Sequence, residues 1–336
     1  MAASAARAYD ELQKARTNEE REAVVRKALA SLAVNAQARR LYWREAAPLL
    51  AAALAPRYEL EERRFSEKVA AGREPFPIVP AGAYVAYALV LKETAVPRLV
   101  TFEDLSNWNV TLNDARQRAI ANLRRGPALH LEPVTEGAYV SEVNDAGVAA
   151  EFLNPASIRA LPLKGAPVVL IPNDAVMLVA DASNPSALLF MARRYEYYGS
   201  VTGFQPCPAM LLKDGKWRTF APTRPPAVRA KFLGIRQSAL AEWHGRQVPL
   251  LEKFFAARRQ DTQVAPFKRG TTRAGQPVTW TRWQRGATVC LPIADFVIFV
   301  DGDRLLASAP WARVREVLGE RLQATEFYPT RFIAAR

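Results

Sequence analysis

Two aspartates occupy closely similar apolar stretches of this 336-residue chain. Asp174 lies in GAPVVLIPNDAVMLVAD (residues 165–181), and Asp295 lies in GATVCLPIADFVIFVDG (residues 286–302). Two carboxylates that converge on one cleft can serve as general acid and general base of a hydrolase. The spacing alone does not bring them together, so the elements that carry them have to be considered.

Each copy consists of a β-rich run, a turn-forming group of Pro, Asn or Asp, and a second β-rich run. Asn and Asp favour tight turns because their side chains hydrogen-bond to the nearby backbone. We therefore predict that Asn173, Asp174 and Asp295 are turn residues. We also predict that 165–198 and 286–319 are duplicated strand–turn–strand–helix units.

Nucleophilic and metal chemistry have few candidate residues. The chain has two cysteines, Cys207 and Cys290, and two histidines, His130 and His244. A Cys207–His130 pair could act as nucleophile and base, but a lone cysteine is more often a small buried hydrophobe. The chain contains no Gly-x-Ser-x-Gly elbow, phosphate loop or GxGxxG motif. We expect no catalytic residue, no metal and no cofactor.

Positive charge is concentrated in one segment. The net charge is +13. Residues 214–285 hold 15 Lys or Arg and 4 Asp or Glu, and the remainder holds 31 basic and 29 acidic residues. A local excess of this size favours an anionic partner such as nucleic acid, an acidic protein or anionic lipid.

Four of the seven tryptophans lie in the same segment. QVAPFKR and QPVTWTRWQR predict a hairpin with Lys268, Arg269 and Arg273 at its tip. Trp280 and Arg282 would share one face of the second strand and Trp283 the other. Interleaved cations and aromatic rings are typical of single-stranded nucleic acid binding. The alternative is that the tryptophans belong to the core and the arginines only solvate the outside. The anion-binding candidates are Lys268, Arg269, Arg273, Trp280, Arg282, Trp283 and Arg285.

Four regions follow from composition. Residues 1–75 are rich in Ala, Leu, Glu and Arg and read as helical. Residues 76–213 form a first α+β half, 214–226 a proline-containing linker, and 227–336 a second α+β half with the basic segment. Within the first half, Thr111 and Asp114 predict a capped helix, and Asn184 or Ser183 predicts the cap of another. The predicted fold class is α+β, with a helical N-terminal region and two related β-rich halves.

A family resemblance rests on VTFEDLSNWNVTLNDARQRAIANL, PVVLIPNDAVMLVADASNPSALLFM and CPAMLLKDGKW. Through these motifs, residues 97–220 resemble the uncharacterised bacterial YtpQ-like family, a domain of unknown function. The family carries Pro-Asn-Arg-Asp at the turn, whereas this chain has Pro-Asn-Asp-Ala at residues 172–175. The resemblance implies a soluble, cytoplasmic α+β protein and implies no catalytic residue.

We expect a cytoplasmic location. The N-terminus lacks the basic and then apolar pattern of a secretion signal, and the apolar runs are too short to span a bilayer. We predict a non-catalytic binding or adaptor protein for an unknown protein partner or an anionic polymer. The alternatives are a nucleic-acid-binding protein that uses residues 214–285, and an unrecognised hydrolase.

Overall fold

The computed structural model of the chain describes residues 41–93, 97–125, 130–142, 146–201, 203–273 and 275–334. Two units are distinguished, residues 1–48 and Leu49–Arg336. In the described part of the first unit, α1 spans Trp43–Ala46. The helices expected before residue 41 lie outside the described residues. The second unit combines helices with four sheets in its described part, which confirms the α+β class.

The first sheet has the order β1-β3-β2, with β4 also paired to β3. Its strands are β1 (Leu50–Pro56), β2 (Ile78–Pro80), β3 (Val85–Leu91) and β4 (Arg98–Leu99). The helices of this region are α2 (Arg57–Ala71), α3 (Phe102–Trp108) and α4 (Leu112–Leu123).

Strand β1 corrects the expectation of helix throughout residues 1–75. Its sequence LAAALAP is rich in helix formers, yet it pairs antiparallel with β3 from Leu50↔Leu91 to Pro56↔Val85. Strand β3 is buried at every position. The pairing and burial that β3 offers outweigh the intrinsic helix propensity of Ala and Leu.

The second sheet has six strands in the order β10-β9-β7-β8-β6-β5. Its strands are β5 (Glu132–Thr135), β6 (Ala138–Glu142), β7 (Pro167–Asn173), β8 (Val176–Asp181), β9 (Met210–Lys213) and β10 (Lys216–Thr219). Its helices are α5 (Ala146–Leu153), α6 (Ala156–Ala160) and α7 (Pro185–Tyr198). Val168 and Leu170 pack into one core cluster, while Val169 and Ile171 pack into another. Both faces of β7 are therefore covered, which explains its unbroken apolar sequence.

Helix α8 (Pro226–Ala257) leads into the last two sheets. One has the order β11-β14-β18-β17 and the other β12-β13-β15-β16. The remaining elements are β11 (Thr262–Val264), β12 (Lys268–Thr271), β13 (Pro277–Gln284), β14 (Thr288–Pro292), β15 (Phe296–Asp301), β16 (Arg304–Pro310), α9 (Trp311–Leu318), β17 (Leu322–Ala324) and β18 (Arg331–Ala334). The segment 214–226, expected to be a linker, contains β10 and the first residue of α8.

The predicted duplication is not confirmed. Strands β7 and β8 form an antiparallel hairpin, whereas β14 and β15 belong to different sheets. At the offset of 121 residues, the first turn of α7 corresponds to part of β16. Corresponding residues are therefore helical in one copy and extended in the other.

The two copies also differ at the aspartate that ends the second strand of each, Asp181 in β8 and Asp301 in β15. Asp181 is buried and accepts hydrogen bonds from the backbone N–H groups of Lys164, Gly165 and Ser183 at 2.7–3.1 Å. Burial opposes ionisation, but these bonds prevail and hold the pKa of Asp181 below its usual value. Asp301 ends β15 in the second stretch, one residue before the position that corresponds to Asp181 at the offset of 121; it is exposed and pairs with Arg285 at 3.6 Å. Asp181 is thus held by buried hydrogen bonds to its own neighbourhood of the chain, whereas Asp301 forms a surface ion pair.

Candidate functional site

The basic and aromatic candidates lie on the predicted hairpin, but the tip differs from the expectation. Strands β12 and β13 pair antiparallel, with Lys268 opposite Trp280 and Thr271 opposite Pro277. The turn therefore begins after Thr271 and ends before Pro277, and the Thr272 N–H donates to the Gln276 carbonyl at 2.9 Å. Lys268 and Arg269 belong to the strand, and only Arg273 lies at the tip.

The strand register aligns four residues in a row across the sheet β12-β13-β15-β16. Lys268 lies opposite Trp280, Trp280 beside Phe296, and Phe296 opposite Pro310. Side chains alternate between the two faces of a strand, so the next residues on this side are two positions away. We call this side the outer face and define it by eight residues. They are Lys268, Gly270, Trp280, Arg282, Phe296, Ile298, Ser308 and Pro310.

None of these eight residues is buried, and Phe296 is 36% exposed. Trp280 lies over Gly270, since a Cβ added there would come within 3.5 Å of the indole Nε1. The absence of a side chain at Gly270 thus leaves space for the ring. The outer face presents two aromatic rings and two cations to solvent.

The opposite side of the same sheet is core. Thr279, Thr281 and Val297 are buried, and Trp283 packs on the cluster that contains Val297. The Trp283 indole N–H donates to the Ala287 carbonyl at 3.1 Å, and its ring lies 5.6 Å from that of Phe299. Trp283 is therefore structural, while Trp280 and Arg282 share the outer face.

Arg269 points away from the outer face, toward helix α8. It lines a groove of about 330 Å³ together with Lys231, Ser238 and Glu242. Burial raises the pKa of Glu242 above its usual value. The structure consequently separates Arg269 from Lys268, although they are neighbours in sequence.

Most cations of the basic segment have no carboxylate partner among the residues that the structure describes. Five of the fifteen form ion pairs, namely Arg218, Lys231, Arg246, Arg282 and Arg285. The other ten cations pair with no carboxylate of the described residues. They are Lys216, Arg224, Arg229, Arg236, Lys253, Arg258, Arg259, Lys268, Arg269 and Arg273. The positive charge of the segment is thus largely uncompensated within the described chain.

Two of the candidate arginines are already engaged. Arg282 donates to the Gly302 carbonyl and lies 3.4 Å from Asp303, and Arg285 pairs with Asp301 at 3.6 Å. Exposed pairs of this kind contribute little to stability and can exchange for another anion. Lys268 and Arg273, by contrast, are exposed and pair with no carboxylate in the described chain.

Both aspartates of the similar stretches lie where strands connect, but in different surroundings. Asn173 accepts the Ala175 N–H at 3.0 Å on its side-chain oxygen, which stabilises the β7–β8 turn, and Asp174 is exposed there. Asp295 accepts both the N–H and the hydroxyl of Thr279, at 2.7 and 2.8 Å. This bond attaches the start of β15 to β13, in another sheet from Asp174.

The hydrolase candidates do not share one cleft. Cys207 and Asp174 line a cavity of about 190 Å³, whereas His130 lines a different groove with Ser141 and Arg194. Complete burial raises the pKa of the Cys207 thiol well above its usual value. The thiol therefore stays protonated at neutral pH and is a poor nucleophile.

A buried cation, Arg331, was missed by sequence reasoning. It is 0% exposed and donates to the Gln247 side-chain oxygen at 2.5 Å. Further bonds go to the carbonyls of Ala265, Cys290 and His244, at 2.7–3.2 Å. Burial lowers its pKa to about 10. Arg331 thus links β18, α8 and β14, and its described partners are all carbonyl oxygens. The local sequence YPTRFIA gives no signal that its arginine is buried.

A charged cluster joins α2 to α8. Arg246 bonds to Glu59 and Glu62, and its guanidinium lies 4.9 Å from the centre of the Tyr58 ring. Tyr58 donates to Glu62 at 2.8 Å. Burial, followed by this bond, raises the pKa of Tyr58. Arg246 therefore acts as a structural connection, not as a free cation of the basic segment.

Comparisons with known proteins returned no relative. No protein-family model, curated protein or solved structure matched the chain. The resemblance to the YtpQ-like family therefore stays a prediction.

Two negative findings apply to the part of the chain that the structure describes. It contains no helix that is both long and apolar enough to cross a membrane. In the same residues, no three His, Cys, Asp or Glu side chains are grouped closely enough to hold a metal ion.

Proposed function

We propose that this protein is a non-catalytic binding or adaptor protein that binds an anionic partner on the outer face and the adjoining basic segment. The observation that carries the proposal is the set of ten cations without a carboxylate partner among the described residues. Uncompensated charge of one sign raises the local concentration of the opposite ion and accelerates its association.

The site chemistry favours binding over catalysis. Asp174 and Cys207 line one cavity, whereas His130 and Asp295 lie elsewhere, and the Cys207 thiol is protonated at neutral pH. A hydrolase would need these groups to converge on one reacting atom. Membership of the YtpQ-like family and a cytoplasmic location belong to the same proposal.

Binding of inorganic polyphosphate at several salt concentrations tests this function. The test variant replaces Lys268, Arg269 and Arg273 by Gln. The control replaces three exposed cations outside the segment, Arg63, Arg73 and Lys164, each of which pairs with a carboxylate. Both variants lose three charges, so they separate local from overall charge.

We expect the test variant to bind polyphosphate more weakly and with a smaller salt dependence than the control. Equal losses in the two variants would mean that only net charge matters, and the proposed surface would be wrong. An absence of binding at the lowest salt concentration would refute the proposal as a whole.

A further inference from the structure

The outer face carries an inference that rests on the proposed function and specifies the partner. We infer that the anionic partner is a single-stranded nucleic acid, with bases that stack on Trp280 and Phe296 and phosphates that contact the neighbouring cations.

The first step is the position of the two rings. Trp280 and Phe296 are register partners on adjacent parallel strands, β13 and β15. Neighbouring strands lie about 4.8 Å apart, so the two rings stand side by side on one surface. Both belong to inner strands of the order β12-β13-β15-β16, with an edge strand on each side. The rings therefore lie in the middle of the face.

The second step is their exposure. The side chains of Trp283 and Phe299 lie three residues further along the same strands, on the opposite side of the sheet, and pack against the core. On the outer face, Phe296 is 36% exposed and Trp280 is partly exposed, so both rings have surface that a ligand can reach. Leaving an aromatic pair at the surface forgoes the stabilisation that burial would provide. A base that stacks on these rings would recover it.

The third step is the placement of charge. Lys268 flanks Trp280 on β12, and Arg282 follows Trp280 by two residues on the same face. Arg273 lies in the adjacent turn. Cations beside an exposed aromatic pair match a backbone of phosphates and flat bases, which is how proteins hold single strands.

Other anionic macromolecules match the face less well. A polyphosphate has no flat or apolar group to place on the two rings, so it would use the cations alone. An acidic protein would have to supply apolar side chains beside its carboxylates, whereas a single strand carries a flat base with every phosphate. A duplex keeps its bases stacked on one another, so the rings would have no exposed base to contact. The aromatic row thus distinguishes the partner classes, and it supplies the test.

The experiment measures fluorescence anisotropy of labelled oligo-dT of about twenty nucleotides, at several salt concentrations. Polyphosphate and polyglutamate, which have charge but no bases, compete in parallel titrations. The ring variants are Trp280→Ala and Phe296→Ala, and Tyr197→Ala on α7 is the matched control because Tyr197 is an exposed aromatic elsewhere. Circular dichroism verifies that each variant is folded, and the more exposed Phe296 provides a second test if Trp280→Ala misfolds.

We expect each ring variant to weaken oligo-dT binding about 5- to 150-fold without changing the salt dependence. Tyr197→Ala should bind as the unmodified protein does. Lys268→Gln and Arg273→Gln should each reduce the log–log salt slope by about 0.7.

Three outcomes would overturn the inference. If oligo-dT binds but neither ring variant loses affinity, the bases do not stack on this face. If only polyphosphate or polyglutamate binds, the partner is another anion and the proposed function stands. If no polyanion binds at low salt, the inference and the proposed function both fall.

Discussion

The pH dependence of stability is the sharpest test of the buried network around Arg331. His244 is one of two histidines, and only 2% of it is exposed. Its ring stacks on Phe267 at 5.0 Å, and its Nδ1 lies 3.3 Å from the Gln247 side-chain oxygen. Burial and the charge of Arg331 lower the pKa of His244 from 6.5 to about 3. The folded protein therefore keeps this imidazole neutral in weak acid.

The direction of the pH dependence follows from proton binding by His244 in the folded and the unfolded protein. The unfolded chain takes up a proton at His244 near pH 6.5, and the folded chain takes it up only near pH 3. Stability from this group is fully present above pH 6.5 and is lost as the pH falls toward 3. Between about pH 7.5 and about pH 5, the linkage relation gives a loss of about 2 kcal/mol.

The assay is urea unfolding followed by tryptophan fluorescence across that pH range. We expect His244→Gln to remove most of this pH-dependent loss, whatever its effect on stability at neutral pH. His130→Gln replaces the exposed histidine and serves as the control that should leave the dependence unchanged. If His244→Gln loses as much stability toward pH 5 as the unmodified chain, His244 is not buried in neutral form.

Three further predictions concern stability. Arg331→Met should cost about 3–5 kcal/mol in urea unfolding, because it removes the donor that the buried carbonyls of Ala265, Cys290 and His244 share, and a loss below 1 kcal/mol would contradict the network. Gly165→Ala should cost about 1–3 kcal/mol, since the added Cβ would lie 2.6 Å from Asp181 Oδ1. Gly234→Ala, in α8 with open space around it, should instead be neutral or stabilise by up to about 1 kcal/mol, and equal losses at the two glycines would refute the packing account. Asp295→Asn should retain most of the stability, because an amide oxygen can still accept hydrogen bonds from Thr279. Asp295→Ala should cost about 1–3 kcal/mol. Equal thermal melting temperatures of the two variants would show that these hydrogen bonds are unimportant.

Local features were predictable from sequence because neighbouring residues make them. The Thr111–Asp114 capping box forms as expected, with the Asp114 N–H donating to Thr111 at 3.1 Å. Asn184 caps α7 through the N–H groups of Ser186 and Ala187. Each depends on atoms within three residues along the chain, so the pattern suffices to predict it.

The formation of strand β1 and the different strand pairing of the two apolar stretches depend on residues far away in the sequence. LAAALAP became a strand because β3 pairs with it, and the second apolar stretch was divided between two sheets. Similar sequences took different pairings because the neighbours of β14 and β15 differ from those of β7 and β8. Long-range pairing of this kind leaves no mark in the local pattern.

The candidate site shows the same division. The concentration of positive charge in residues 214–285 and the alternation of Trp280 and Arg282 with Trp283 along one strand follow from the sequence alone. The fold then fixes which face is solvent-exposed, because that depends on what packs against the sheet. It also placed Phe296 and Pro310 in the row of Lys268 and Trp280 and turned Arg269 toward α8. The run DFVIFVD is apolar on both faces, so its pattern could not indicate that Phe296 faces outward; pairing with β13 fixes that direction.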